Sequence, residues 1–220
     1  MAIPSINIGD IVPKTTKQTE RISLMVFVDD DSALSKEMVI FAKSVANSNS
    51  FVDVDIKDAA GGTNEMLRSL KLEYWPCMVL KKGEFTRIRY YGAPTGFEQN
   101  PFMEAVDELF KSSPKLSQKS KNVLQTVRRK ANIKLFVLTT CTFCPVVARH
   151  AYRAAIESPR ITTEVIDSAI FVEWSQKHLV AGVPKVVLND NTDITGAVSE
   201  EEFMEKLREA DHALIDNIYG

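Results

Sequence analysis

The 220 residues contain three cysteines, Cys77, Cys141 and Cys144, and the last two form a Cys-x-x-Cys pair. That spacing serves reversible dithiol chemistry or half of a metal site. The context favours the dithiol. Cys141-Thr142-Phe143-Cys144 stands where an apolar strand ends and a helix begins, and Pro145 falls in the first turn, where a missing N–H costs nothing. A thiol at a helix N-terminus is more acidic, because unpaired N–H groups and the positive end of the helix dipole stabilise the thiolate, which is the attacking species. Three residues are close to one helical turn, so Cys144 comes within disulfide reach of Cys141. These features point to Cys141 as the nucleophile that forms a mixed disulfide and to Cys144 as the resolving thiol. Thr142-Phe143 brings neither a positive charge nor a second proline, so a moderate couple of about −180 to −270 mV is expected.

The other candidate side chains read differently. His150, His178 and His212 lie far apart and lack a second cysteine pair, so no metal site is expected. Cys77, at the head of an apolar strand after Pro76, reads as a buried small hydrophobe, the alternative being a third redox thiol. Arg128-Arg129-Lys130 reads as the cationic end of a helix spanning about 121–130. Trp75 and Trp174 read as packing residues, and Trp75 could also line a groove beside Pro76.

The elements that must hold the pair follow from an internal repeat. Ile22 to Ala46 aligns without gaps on Ala131 to Ala155, and Trp75-Pro76 falls opposite Val183-Pro184. Gly92-Ala93 before Phe102-Met103-Glu104 likewise answers Gly196-Ala197 before Phe203-Met204-Glu205, with a longer connection in the first copy. The predicted elements of the second copy are strands at 133–138, 162–166, 185–188 and 193–197 and helices at 143–156, 170–179 and 200–215. Alternating strands and helices imply a parallel core, and the last two strands an antiparallel hairpin. Ser199 followed by Glu202 forms a capping box for the final helix. The polar stretch 112–120 places a boundary near residue 116, giving units 1–116 and 117–220. In the first unit Ser32-Ala33-Leu34-Ser35 aligns on the Cys-x-x-Cys, so dithiol chemistry there is excluded. The preceding Asp29-Asp30-Asp31 would cap the positive end of its helix.

Composition excludes several classes. A net charge of −2 with 45% hydrophobic and 25% charged residues is globular and too neutral for a nucleic-acid partner. Met1 to Lys14 has no signal-peptide pattern, and no run approaches the roughly 18 apolar residues of a membrane span. A soluble, cytoplasmic protein without a membrane partner is expected.

The strand–CTFCP–helix element, the Val183-Pro184 pair about forty residues later and the duplication together resemble the thioredoxin superfamily. The nearest resemblance is to its two-unit, glutaredoxin-like protein disulfide oxidoreductases. The implied fold is α/β, with two tandem thioredoxin-like units, each a mixed β-sheet flanked by helices. By the same resemblance Pro184 is the cis-proline beside the disulfide, the backbone of Val183 pairs with an extended substrate, and Thr142 and Phe143 contact it. Sequence statistics alone would make either X–Pro bond trans. The first unit departs from the family in lacking its Cys-x-x-Cys. Thioredoxins often carry a buried acid under the disulfide, but the strand before Cys141 offers Leu135 and Phe136, leaving Glu164 as a candidate from elsewhere. No Gly-rich dinucleotide fingerprint follows either first strand, so no bound cofactor is expected. The implied substrates are protein disulfides, with electrons from a thioredoxin-reductase-like flavoprotein. A close variant is a dedicated relay to a peroxidase, since the N-terminal module of the flavoprotein that serves alkyl hydroperoxide peroxidases also pairs a dead unit with a live one. The other classes are a peptide-binding, chaperone-like module with a regulatory disulfide, and an iron–sulfur carrier.

Overall fold

A computed structural model describes residues 20–29, 32–59 and 65–219, with side chains described as far as 211. The second half begins with α4 (Gln118–Thr126) and β5 (Ala131–Val137), then α5 (Cys144–Glu157), β6 (Ile161–Asp167), α6 (Val172–Lys177), β7 (Lys185–Leu188), β8 (Thr192–Thr195) and α7 (Glu200–Tyr219). The first half repeats this succession as β1 (Ile22–Val28), α1 (Ala33–Ser48), β2 (Val52–Asp58), α2 (Glu65–Leu70), β3 (Cys77–Lys82), β4 (Phe85–Tyr91) and α3 (Gln99–Lys111). A one-turn 3-10 helix, Gly96–Glu98, precedes α3.

Each half contributes four strands in the same order, β2-β1-β3-β4 and β6-β5-β7-β8. The first two strands of each half are parallel, and the rest of each half is antiparallel, the mixed pattern expected from the sequence. The repeat alone did not indicate how the halves join. β4 pairs in parallel with β6, from Ile88 opposite Thr163 to Tyr91 opposite Ile166, so two sheets become one of eight strands. The pairing also satisfies two sheet edges that would otherwise present free N–H and C=O groups.

Helices cover both faces. On one, α1, α3, α4, α5 and α7 share a continuous hydrophobic core that draws on both halves. On the other, α2 and α6 cover a smaller core containing Leu67, Cys77, Tyr91, Phe136 and Trp174. Helix α5 packs on β4 as well as β5 and lies alongside α3, so it rests on the first half as much as on its own. Charged pairs reinforce that seat. Arg149 of α5 donates from Nε and Nη2 to the two oxygens of Glu104 at 2.8 and 2.9 Å. One turn further on, Arg153 donates to both oxygens of Glu108, whose carboxylate also accepts the Lys115 N–H. Bidentate pairs of this kind fix orientation as well as distance.

Local chemistry moves both ends of one helix and the cap of another from their predicted places. Helix α4 starts at Gln118 and ends at Thr126, not at 121–130, because Ser117 Oγ accepts the Ser120 N–H and caps it early. The backbone N–H groups of Arg128 and Arg129 turn instead to the carboxylate of Asp211, so these residues lie beyond the helix and do not neutralise its end. In the first half the cap of α1 is Ser32, whose Oγ accepts the Ser35 N–H at 3.1 Å. Asp29 is not the cap, since it accepts the Trp75 indole N–H at 2.7 Å, while Asp30 and Asp31 lie outside the described residues. Ser199 caps α7 as expected, its Oγ accepting the Glu202 N–H.

Glu108 is buried, and its removal leaves Arg153 without its bidentate partner at the seam. Glu108→Ala is expected to lower the unfolding free energy by about 3–5 kcal/mol in urea titration. Tryptophan fluorescence from Trp75 and Trp174, one in each half, should report the loss in a single shared transition.

Candidate active site

Strand β5 runs out of the core at Val137, and a tight turn in which the Cys141 N–H meets the Leu138 carbonyl carries the chain to Cys141. Cys141 and Cys144 form a disulfide with their Cα atoms 5.5 Å apart. Cys141 is half-buried while Cys144, the first residue of α5, is fully enclosed, so only one sulfur can be reached from outside. Pro145 occupies the first turn of α5, and the Cys144 N–H points at Cys141 Sγ, 3.1 Å away. That N–H stabilises negative charge on the Cys141 sulfur once the bond opens. Thr142 and Phe143 project into solvent.

Facing the disulfide is the loop before β7. The Val183–Pro184 peptide bond is cis, and the Val183 carbonyl oxygen lies 3.9 Å from Cys141 Sγ. Trp75–Pro76 is cis as well. Each cis-proline carbonyl accepts the N–H of a glycine with positive φ, Gly92 for Pro76 at 3.2 Å and Gly196 for Pro184 at 2.9 Å. Lys185 locks the far side of the live loop. Its buried ammonium donates to the carbonyls of His178 and Leu179 and pairs with Asp193 at 2.8 Å. The loop is thereby held at both ends, with Val183 against Cys141.

The first half reaches this site too. The Phe97 N–H donates to the Thr139 carbonyl at 2.8 Å, two residues before Cys141. Gly96 makes the approach possible: its φ is +54°, and a Cβ there would lie 2.4 Å from Thr139 O. Next in the chain is Glu98, fully buried, with neither carboxylate oxygen partnered within the protein. Burial pushes its carboxyl up to about 8, against the opposing pull of the Arg149 guanidinium. Asp167, at the end of β6, is shifted in the same direction by its own burial. Glu98 is therefore a buried acid on the turn that packs against α5. Glu164 is not under the disulfide. Side chains alternate along β6, and Thr163 faces α5 by bonding the Ala151 carbonyl, so Glu164 faces the opposite side of the sheet and pairs with Arg89.

The remaining candidates stay apart from the disulfide. Cys77 is completely buried in the smaller core, and desolvation raises its thiol far above the usual range. Trp174 stacks on Tyr74 in that core, and Trp75 holds Asp29. His150 is buried against Phe203 and His178 packs on Phe136, while the His212 side chain lies outside the described residues. Among the described residues no three His, Cys, Asp or Glu side chains gather as metal ligands. Among the same residues no helix is long and apolar enough to cross a membrane.

Residues 131–209 match the thioredoxin domain family. That match takes in the part of the chain that carries the disulfide at the head of α5 and the cis-proline opposite it, and the α/β fold is thioredoxin-like. Among curated proteins it is similar to the alkyl hydroperoxide reductase AhpF of Staphylococcus aureus, 28% identical over 129 residues. That match takes in 59% of this chain but 25% of the relative, so the chain spans about a quarter of the curated protein it matches. Two solved structures share the fold. One is the N-terminal domain of the alkyl hydroperoxide reductase AhpF from Enterococcus faecalis, with TM-score 0.80 and 24% identity over 86% of this chain and 91% of that one. The other is a protein disulfide oxidoreductase from Aeropyrum pernix, with TM-score 0.80 and 18% identity over 90% of this chain and 88% of that one.

Two outcomes test the site. A carboxyl raised in the folded state binds a proton that the unfolded chain has released, so its contribution is fully present below about pH 4.5 and is lost as pH rises toward about 8. The stability difference between wild type and Glu98→Gln should therefore move against wild type across that window, by at most about 1.4 kcal/mol per pH unit. Cys77, by its burial, should resist a small aromatic disulfide reagent in the native reduced protein and react only after unfolding.

Proposed function

We propose that the chain passes electron pairs to protein disulfides through Cys141 and Cys144. The observation that carries this reading is a disulfide with one reachable sulfur, Cys141, set against a cis-proline loop. In the reduced protein the Cys141 thiolate attacks a substrate disulfide, forming a mixed disulfide and releasing one substrate thiolate. Cys144 then attacks Cys141 Sγ, releases the second substrate thiol and closes the Cys141–Cys144 bond. Two electrons leave the protein, and a thioredoxin-reductase-like flavoprotein returns them. Cys144 cannot make the first attack, because it is enclosed under α5.

Val183 and Pro184 hold the substrate. An extended peptide lying along the loop can hydrogen-bond the Val183 backbone as an added strand would. Exposed Phe143 and Val146 of α5, and Phe97 from the first half, give the partner an apolar surface around the sulfur. Glu98, a buried acid on the turn that packs against α5 and pushed up to about 8 by its burial, would serve as a proton store near the dithiol in this reading.

A second reading is favoured by the similarity to the alkyl hydroperoxide reductase AhpF. In it the same exchange is a relay, from a flavoprotein to one dedicated peroxidase, and general protein disulfides are poor substrates. The cytoplasm suits both readings, since its reductases would keep the dithiol supplied.

Dithiothreitol-driven reduction of insulin separates them. Wild type and Cys77→Ser should be active, and Cys141→Ser should lose at least about a hundredfold. An inactive wild type that nevertheless traps a single peroxidase on Cys144→Ser would replace the first reading by the relay. Activity that survives Cys141→Ser would overturn both.

A further inference from the structure

The two cis-proline loops are built alike and differ in what closes them. After α2 and after α6 the chain turns through a residue with positive φ, Lys71 at +54° or Leu179 at +52°. The next N–H then reaches back five residues, from Leu72 to the Leu67 carbonyl and from Val180 to the Ser175 carbonyl. Each loop takes six residues, 71–76 or 179–184, to arrive at its cis-proline. The strand beyond begins with Cys77 in the first half and with Lys185 in the second.

Both of these residues are buried, but only one of them reaches across its loop. Cys77 packs in the smaller core. Lys185 spans the neck: its backbone is the far end of the loop, and its ammonium returns to the near end, donating to the His178 carbonyl at 2.7 Å and the Leu179 carbonyl at 3.3 Å. These carbonyls stand just past α6, where a helix leaves its last acceptors unpaired and a cation is favoured. Asp193 of β8, 2.8 Å away, supplies the counter-charge. A buried ammonium is costly unless it is paired and bonded, so its place here is explained by what it holds. The tip of the loop has little other support, since Ala181 and Gly182 are exposed and a Cβ on Gly182 would meet nothing within 4 Å. In the first half the tie is at the tip instead, where the Trp75 indole bonds Asp29.

We propose that Lys185 is a positioning residue for the substrate, closing the base of the loop so that the Val183 backbone is set to pair with an extended peptide before one arrives. The proposal rests on the reading that substrate lies along Val183 and Pro184. An edge that is ordered in advance loses less freedom on binding, so the effect falls on peptide recognition. A small disulfide makes no such pairing and reaches Cys141 without it.

The test mixes the pre-reduced full chain with insulin or with hydroxyethyl disulfide in a single turnover and follows the oxidation of Cys141 by alkylation and mass. Lys185→Met keeps an unbranched stem in the buried position, and the rate constant for insulin relative to that for the small disulfide should fall about tenfold. Asp193→Ala, at a half-exposed position of the hairpin, keeps Lys185 but removes its counter-charge and should lower the same ratio about threefold. The second variant decides the matter alone where the first does not fold. The proposal is overturned if the ratio stays at its wild-type value, or if both rates fall together as a general loss of structure or of thiol reactivity would make them. Failure of the underlying reading looks different: a wild type oxidised by hydroxyethyl disulfide but not by insulin has no peptide pairing to position, and overturns both.

Discussion

The parallel pairing of β4 with β6 is the contact on which the rest of the molecule depends. Four residues from each strand make one sheet of two, and the register sets everything above and below it. On one face it brings α3 beside α5, where Arg149 and Arg153 meet Glu104 and Glu108. On the other it places Arg89 opposite Glu164 and opens a cavity between the halves. A shift of one residue would turn these side chains to the wrong faces, because alternate residues of a strand point in opposite directions.

The seam makes the redox site a joint construction. The second half supplies both sulfurs and the facing cis-proline, while the first supplies the hydrogen bond to Thr139, the buried Glu98 and the apolar surface of Phe97. A half without cysteines at its own helix head thus still touches the turn that leads to Cys141 and the helix that follows it. Its own cis-proline at Pro76 retains the geometry of the live loop, and Trp75 beside it holds Asp29 where the second half sets Val183 against a sulfur.

What could be read from the residues was local. The helix after Cys141 and the strands of the second copy follow from turn residues and apolar runs a few positions long and lie close to where expected, whereas the placing of Pro184 opposite the disulfide came from the resemblance alone. What could not be read depends on contacts between distant segments. Glu98 looks like one more surface carboxylate in Phe97-Glu98-Gln99-Asn100, and only the fold encloses it. One signal was available: Gly92 to Phe102 is three residues longer than Gly196 to Phe203, and the extra length forms the 3-10 turn that carries Glu98 to α5. Glu164 was misplaced because strand alternation fixes its face only once Thr163 is known to bond Ala151. Helix α4 was set too late along the chain because the Arg128-Arg129-Lys130 run suggested a helix end, whereas Asp211, more than eighty residues away, draws those backbone groups out of it.

The heads of α1 and α5 put one kind of hydrogen bond to opposite ends, although Ser32 is the cap of its helix and Cys141 stands three residues before the start of its own. In each, a side-chain atom accepts the N–H of the third residue onward at 3.1 Å, oxygen of Ser32 in one and sulfur of Cys141 in the other. With oxygen the bond is a permanent clasp, of the kind that adds about 1 kcal/mol to a helix. With sulfur the same donor strengthens when electrons arrive and relaxes when they depart, so the clasp becomes a gauge of oxidation state. Placing cysteines at 32 and 35 would exchange a fixed fastening for a variable one, and the half that now serves as a steady mount would begin to respond to the redox state it supports.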